Sequence, residues 1–278
     1  MRLKDFFSSI LGLFILYSSI IIIVSMAFEY LSSTILPNTE LGLYDKQFWS
    51  GLLINANSSI IDFFAIGIAI HYIQKKKSDK TALMDQYREL EDYASHSSTE
   101  LNLKKMGIIR RLQYAGEKTI NIKRLTLEGI SIAEIEIESS DLTGLSLYES
   151  RLTNCTFSKC NLRSLNLEKV KAKNLNLASC KANNLRFNHG KFSGLYCNET
   201  DLSNSSLLGA TLKSGIFKRC DFSGVKFEGS DLRSANIKSS YNIDIVELCK
   251  AKCLDYIVAD DSIILGIKSA RSDVKFSR

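Results

Sequence analysis

In the stretch CNLRSLNLEKVKAKNLNLASC (160–180), leucine or alanine falls at 162, 167, 172 and 177, once every five residues. An α-helix repeats its apolar stripe near 3.6 residues and a half-buried strand at 2, so a period of five belongs to neither. Followed in both directions, the phase holds from Ile122 to Ile237 without an insertion. All 24 positions are apolar, among them Leu142, Phe157, Phe187, Leu202, Phe222 and Leu232. Two residues before each stands an aliphatic or a small residue, such as Ser140, Cys160, Cys180, Thr200, Ala210 and Cys220. Asp or Asn often lies between, as at Asp141, Asn161, Asn176, Asp201, Asp221 and Asp231.

A unit of five with two residues inward and three outward describes one side of a square, and four sides make a turn of twenty. Each turn hydrogen-bonds to the one below at the ~4.8 Å strand spacing and buries its apolar residues only by stacking on its neighbours. Residues twenty apart then share a column. Ile120, Ser140, Cys160, Cys180, Thr200 and Cys220 form one inward column at a crowded corner, where the cysteines fill space. The seven cysteines have no compact spacing of a secreted disulfide framework, and His71, His96 and His189 are too scattered to suggest a metal site.

The motifs SDLTG (140–144), CNLRS (160–164), TDLSN (200–204), CDFSG (220–224) and SDLRS (230–234) give this segment the form A-(D/N)-L-x-x. It resembles the pentapeptide-repeat family. The resemblance implies a right-handed quadrilateral β-helix over 118–240, about six coils and ~29 Å long at the strand spacing. Ala172 and Ala182 depart from the bulky centre, and Leu145, Leu165, Leu175, Leu185 and Leu195 from the small corner. Some soluble members of the family resemble duplex DNA and inhibit or shield topoisomerases, which needs an acidic surface. Here 118–240 hold 18 Lys and Arg against 12 Asp and Glu, so the likeness does not extend to DNA mimicry.

Two apolar runs precede the repeats. Phe6 to Phe28 carries no charge and is long enough to cross a ~30 Å hydrocarbon core as a helix. It is longer than the apolar region of a signal peptide. Phe48 to Ile73 is a second span, with Trp49 and Tyr72 at its ends and Lys75, Lys76 and Lys77 directly after. The charge bias places both termini in the cytoplasm and 30–47 outside, so residues 1–74 form a two-span hairpin. The setting expected is a bacterial cytoplasmic membrane, crossed twice.

Asp62 lies near the middle of the second span, where an ionised carboxylate costs roughly 2.5–3.5 kcal/mol. Gly51, Asn55, Ser58, Asp62, Ala65 and Ala69 share one small, polar helix face. Three readings stand: packing glue between helices, a water-filled ion or proton path between subunits, or a tolerated polar residue. Ser8, Gly12 and Ser19 give the first span a weaker small face. Either of the first two readings expects a homo-oligomer formed through the spans.

Residues 75–117 read as a helical cytoplasmic linker in two pieces. Leu83, Tyr87, Leu90 and Ala94 share a face; Ser97-x-x-Glu100 is a candidate capping box restarting the helix; Gly116 is a candidate C-cap. Lys104, Lys105, Arg110 and Arg111 either face anionic headgroups or form an ordinary solvated face. Beyond Ile237 the phase is lost. Asp244 to Leu254 reads as a short amphipathic helix and Tyr256 to Ile267 as strand-like, together a cap over 241–278. Cys249 and Cys253 share a helix face there, too few ligands for a metal.

Arg151, Lys171 and Lys191 stack at intervals of twenty on one outer face, and 159–191 carries eight Lys and Arg against Glu168 alone. This face is either solvated or an interaction surface for acidic protein, lipid headgroups or nucleic acid, the last disfavoured by the lack of interleaved aromatics. No nucleophile–base set, phosphate loop or ligand cluster appears, so neither an enzyme nor a cofactor is expected. Two functions remain. One is a membrane-anchored scaffold whose β-helix docks an unidentified cytoplasmic protein or senses a signal. The other is an oligomeric membrane-disrupting or pore-forming effector gated by the β-helix, an architecture resembling bacterial anti-phage effectors.

Overall fold

The structure is a computed structural model and describes residues 10–34 and 44–276. The chain divides into two compact units, residues 1–81 and 82–278. In the first, helix α1 (Ile10–Thr34) pairs with the front of helix α2 (Lys46–Asp92). Both are long and apolar enough to cross a membrane.

α2 does not pause at the lysine run but continues as one helix to Asp92. In the second unit its last turns carry Leu83, Tyr87, Leu90 and Ala94 against the apolar core, with Leu90 fully enclosed. The shared face expected for these four residues is therefore seen. Helix α3 (Thr99–Tyr114) follows, with Ser98 as N-cap, its Oγ accepting from Leu101 N at 3.2 Å. The capping residue is thus one later than expected, because Ser97 Oγ is engaged elsewhere, donating to Glu128 Oε2 at 2.9 Å. At the other end Ala115 is the C-cap and Gly116 the next residue, at φ +89. Glycine tolerates that conformation without Cβ strain, and it lets Glu117 N reach Leu112 O.

From Lys118 onward the chain winds into a four-sided β-solenoid. On one side Thr126, Ser146, Asn166, Arg186, Ser206 and Lys226 form parallel bridges in succession; on another Asp141, Asn161, Lys181, Asp201, Asp221 and Tyr241 do the same. A third side holds β1 (Ser131–Ala133) and the starts of β3 (Arg151–Ser158) and β4 (Lys171–Ala178), and continues into β5 (Lys191–Ser193). The fourth holds β2 (Glu136–Glu138) and the ends of β3 and β4. Every one of these registers is an offset of twenty.

Three local devices produce this winding. First, each bulky centre points inward: Leu162, Leu167, Phe187, Leu212 and Phe217 are fully buried, and Phe187 meets Phe192 edge-to-face at 4.9 Å. Second, the Asp or Asn before the centre folds back on its own backbone. Asp141, Asp201, Asp221 and Asn236 each accept from the N–H two residues on, at 2.9 to 3.2 Å. Third, every fifth residue from Arg124 to Ser239 has positive φ, turning the corner in the left-handed region. Gly194 occupies one such corner, and a Cβ there would meet Asn174 Oδ1 at 2.6 Å.

The small inward position does more than fill space. Ser150 Oγ donates to Leu127 O at 2.7 Å, and Cys160, Cys180 and Cys220 thiols reach carbonyls of the preceding coil at 3.0 to 3.5 Å, each twenty-three residues back. The hydroxyls also accept, as Ser140 Oγ does from Ile120 N at 2.8 Å. Ser, Thr and Cys thus form inter-coil ties that a plain space-filler would lack.

The C-terminal segment corrects three expectations. The coil does not end at Ile237. Asp231 bridges Cys253 and Asn236 bridges Val258, an offset of 22 in place of twenty. The phase resumes two residues late, with Leu254 and Ile257 buried, because the short helix α4 (Ile245–Leu248) bulges out of the turn. α4 is far shorter than the 244–254 helix expected. The predicted strand over 256–267 is mostly helix α5 (Asp261–Ala270), whose amphipathic Ile263, Ile264 and Ile267 lie on the core. Arg271 Nη1 anchors the end of this cap, donating to Cys249 O and Ala251 O at 2.9 and 2.8 Å.

Candidate functional site

Within the first unit the two apolar helices meet through a polar pair and an aromatic one. Asn57 Nδ2 donates to Ser25 Oγ at 2.7 Å and to Leu53 O at 2.8 Å, and the Phe14 and Phe63 rings stack at 4.4 Å. On α1 the face toward this contact carries Phe14, Ser18, Ile21, Ser25 and Ser32, with Ile21 and Ser32 buried. The small face expected on α1 is therefore replaced. Ser19 is exposed and spends its hydroxyl on Ile15 O, Gly12 is buried, and Ser8 lies outside the described residues. The seven-residue spacing of Ser18, Ser25 and Ser32 is the signal in the sequence that marks the true face.

On α2 the contact face is built by Leu53, Ala56, Asn57, Ile60 and Phe63. At about 100° per residue, Gly51, Asn55, Ser58 and Asp62 project from the opposite side. Asn55, Ser58 and Asp62 are exposed, and among the described residues the Asp62 carboxylate has no hydrogen-bond or ion-pair partner. The fold brings the four predicted residues into one line and turns that line away from α1.

In the solenoid the predicted basic face is a true ladder. Arg151 pairs in register with Lys171, and Lys171 with Lys191. All three are exposed, as is Lys173 in the same coil as Lys171. Several other cations are paired across coils: Lys118 with Glu136 at 2.8 Å, Lys169 with Glu149 at 2.9 Å, Arg219 with Glu199 at 2.6 Å. Among the described residues no carboxylate lies within ion-pair reach of the four ladder cations.

One member of the linker's basic set is misplaced by sequence reasoning. Lys105 is fully buried. Its Nζ donates to His96 O at 2.8 Å and Thr126 Oγ1 at 2.7 Å, with Ala94 O at 3.4 Å, fixing the α2–α3 turn to the first coil. Burial lowers its pKa to about 8, partly opposed by the charge of Glu128. Lys104 stays outside, paired with Glu89 at 2.7 Å.

Three of the buried thiols are inert by environment. Burial raises the pKa of Cys155 and Cys197, and that of Cys220 to about 11, so these remain protonated at neutral pH. Among the described residues there is no group of three or more His, Cys, Asp or Glu placed to hold a metal.

This five-residue winding, with its inward pairs and left-handed corners, defines a class of protein: the pentapeptide-repeat β-solenoid. The family models agree, a pentapeptide repeat region matching residues 150–227 and pentapeptide repeats matching 216–240. The solenoid of this chain belongs to the pentapeptide-repeat family. No curated protein matches the chain. Among solved structures it is similar to trypsin-treated QnrB1, a plasmid-mediated fluoroquinolone resistance protein, at 14% identity and TM-score 0.38, over 55% of this chain and 97% of that one. It is also similar to Rfr23 from the cyanobacterium Cyanothece 51142, at 18% identity and TM-score 0.17, over 55% and 92%. A third is HetL, involved in heterocyst differentiation regulation, from Nostoc sp. strain PCC 7120, at 14% identity and TM-score 0.17, over 56% and 97%.

Proposed function

We propose that the chain is a membrane-anchored pentapeptide-repeat protein of the bacterial cytoplasmic membrane, with both termini cytoplasmic, whose β-helix is a rigid scaffold for protein interaction or sensing. It is not an enzyme in this reading. The observation that carries it is the join of two span-length apolar helices to a solenoid whose outward side chains are polar and whose inward ones are all spent on the core. Such a stack holds its faces at fixed spacing, the property a docking surface needs. A cysteine placed at Asn38, in a background lacking Cys249 and Cys253, tests the topology. An impermeant thiol reagent should label it in intact cells and leave one at Ser203 untouched. Labelling at Ser203 would overturn the arrangement.

A second reading draws on the stripe of Gly51, Asn55, Ser58 and Asp62. Because it points away from α1, only another copy of the chain or a further partner can shield Asp62 from lipid. A homo-oligomer whose second spans meet along that line would form a membrane-disrupting effector, as in anti-phage defence, with the solenoid as its gate. Vesicles reconstituted with the chain should then leak ions, and Asp62→Ala should end the leak. If the spans only anchor a scaffold, the same substitution leaves the vesicles as tight as before.

A further inference from the structure

We propose that the side of the solenoid bearing Arg151, Lys171, Lys173 and Lys191 is a docking surface for the anionic headgroups of a phospholipid membrane. The proposal rests on the membrane-anchored reading above.

The first observation is that these cations stand unpaired and stacked, whereas six others in the solenoid each find a carboxylate one coil away. Lys123 reaches Asp141 at 3.5 Å, Lys159 reaches Glu138 at 3.4 Å, and Lys213 reaches Asp231 at 3.4 Å, each across one coil. The neighbouring rung carries Glu134, and it is not within ion-pair reach of Arg151. Glu149 and Glu168 stand on another side, where Glu149 pairs with Lys169 at 2.9 Å and Glu168 accepts from Asn188 Nδ2 at 2.9 Å. Instead Arg151, Lys171 and Lys191 are in direct register, at the ~4.8 Å strand spacing. Like charges held that close raise each other's energy until an anion lies over them.

The second observation is what accompanies them. On the three coils that carry the cations, the outward residues of this side are Arg151, Thr153 and Asn154, then Lys171, Lys173 and Asn174, then Lys191 and Ser193. All are cations, hydroxyls or amides, and Asn174 Nδ2 donates to Asn154 Oδ1 at 2.9 Å to continue the ladder.

These features select the partner. A protein interface has an apolar, often aromatic core, and on these three coils this side presents no apolar outward residue. Single-stranded nucleic acid needs aromatic platforms, and there are none. An extended acidic strand repeats its side chains on one face every ~6.6 Å, out of step with a ladder at the inter-strand spacing. A nucleic-acid duplex holds its phosphates on a fixed curved path. Headgroups in a fluid bilayer have no fixed spacing and gather under whatever cations meet them. The apolar helices of the same chain keep that bilayer within reach at high effective concentration.

The test uses the full chain reconstituted in neutral phosphatidylcholine vesicles or in vesicles also carrying phosphatidylglycerol. An impermeant amine-acylating reagent is added and each lysine is quantified by mass spectrometry. Phosphatidylglycerol should reduce acylation of Lys171, Lys173 and Lys191 about fivefold, the factor to which ~1 kcal/mol per cation converts, and high salt should restore it. Lys123, on the opposite side, and Lys238 should not change. Equal acylation in both vesicles overturns the proposal. So does protection of these lysines by duplex DNA or by polyglutamate under salt conditions where phosphatidylglycerol gives none, which would assign the face to nucleic acid or acidic protein. Loss of the chain from neutral vesicles on alkaline extraction would sink the membrane anchor instead. The face is then judged by the same acylation pattern with anionic vesicles added from outside.

Discussion

The solenoid and the helical hairpin use the same residue types in opposite ways. In the solenoid small polar residues face inward, and most are closed off by the coil before them, as Ser150 is by Leu127 O and Cys220 by Cys197 O, Ser230 Oγ being an exception. In the hairpin Asn57 and Ser25 satisfy each other across the helices, and a larger polar set, Asn55, Ser58 and Asp62, is left facing outward. The solenoid is self-sufficient because stacking brings every residue a neighbour twenty positions away. The hairpin has one neighbour and two faces. Its second face is left open in the monomer: folding is complete in one region, and in the oligomeric reading proposed above assembly would complete the other.

The contrast is most sharply tested in the solenoid core. Phe222 is buried between Phe217 and Phe227, with ring centroids 6.0 and 5.7 Å away. Phe222→Ala should cost about 3–5 kcal/mol, read from chemical denaturation of the solenoid. A loss no greater than that of Lys171→Ala would break the inward–outward register. Next comes the hairpin. Asp62→Ala should leave the solenoid's melting temperature unchanged while altering oligomeric state in detergent. A change in solenoid melting, with the oligomer intact, would mean that the stripe serves the fold and not assembly.

The inter-coil ties should show a smaller effect. Ser150→Ala removes a hydroxyl that donates to Leu127 O and accepts from Ile130 N at 3.4 Å, and should cost about 1 kcal/mol. No loss would return the corner residues to mere space-filling. The buried Lys105 gives a pH signature. Its folded pKa is about 8, below the ordinary 10.5, so between these values the unfolded chain holds a proton that the folded chain has released. Stability therefore rises with pH across that window. The gain from pH 7 to alkaline pH should be larger in the wild type than in Lys105→Met, compared by melting temperature; equal gains would place the ammonium in solvent. Smallest of all is Lys171→Ala, expected to shift stability by less than about 0.5 kcal/mol.

The pitch of the solenoid was legible because it is a property of order alone. A period of five with an inward pair admits one winding, and Leu162 through Phe227 keep it without a gap. The corner conformation was also written in the chain, in the Gly, Asn and Ser at positions such as 144, 154, 164, 174 and 184, but a left-handed residue announces itself only once the turn is known. The stripe of Gly51, Asn55, Ser58 and Asp62 could be drawn from helical spacing. Which side of α2 meets α1 could not, since both sides are apolar enough to serve.

What required the third dimension was every contact that depends on a neighbour far along the chain. Order of residues set the coil, the two span-length helices and the stacked cations, because each follows from local periodicity and a fixed rise per residue. Tertiary structure decided that Lys105 goes inside, since three oxygens from Ala94, His96 and Thr126 converge only after α3 folds back on the first coil. It decided that the winding outlasts its own phase, because α4 absorbs two extra residues and Cys253 and Val258 return to the ladder. And it decided that Asp62 faces away from α1, since Asn57 and Phe63 take the contact, leaving the carboxylate exposed.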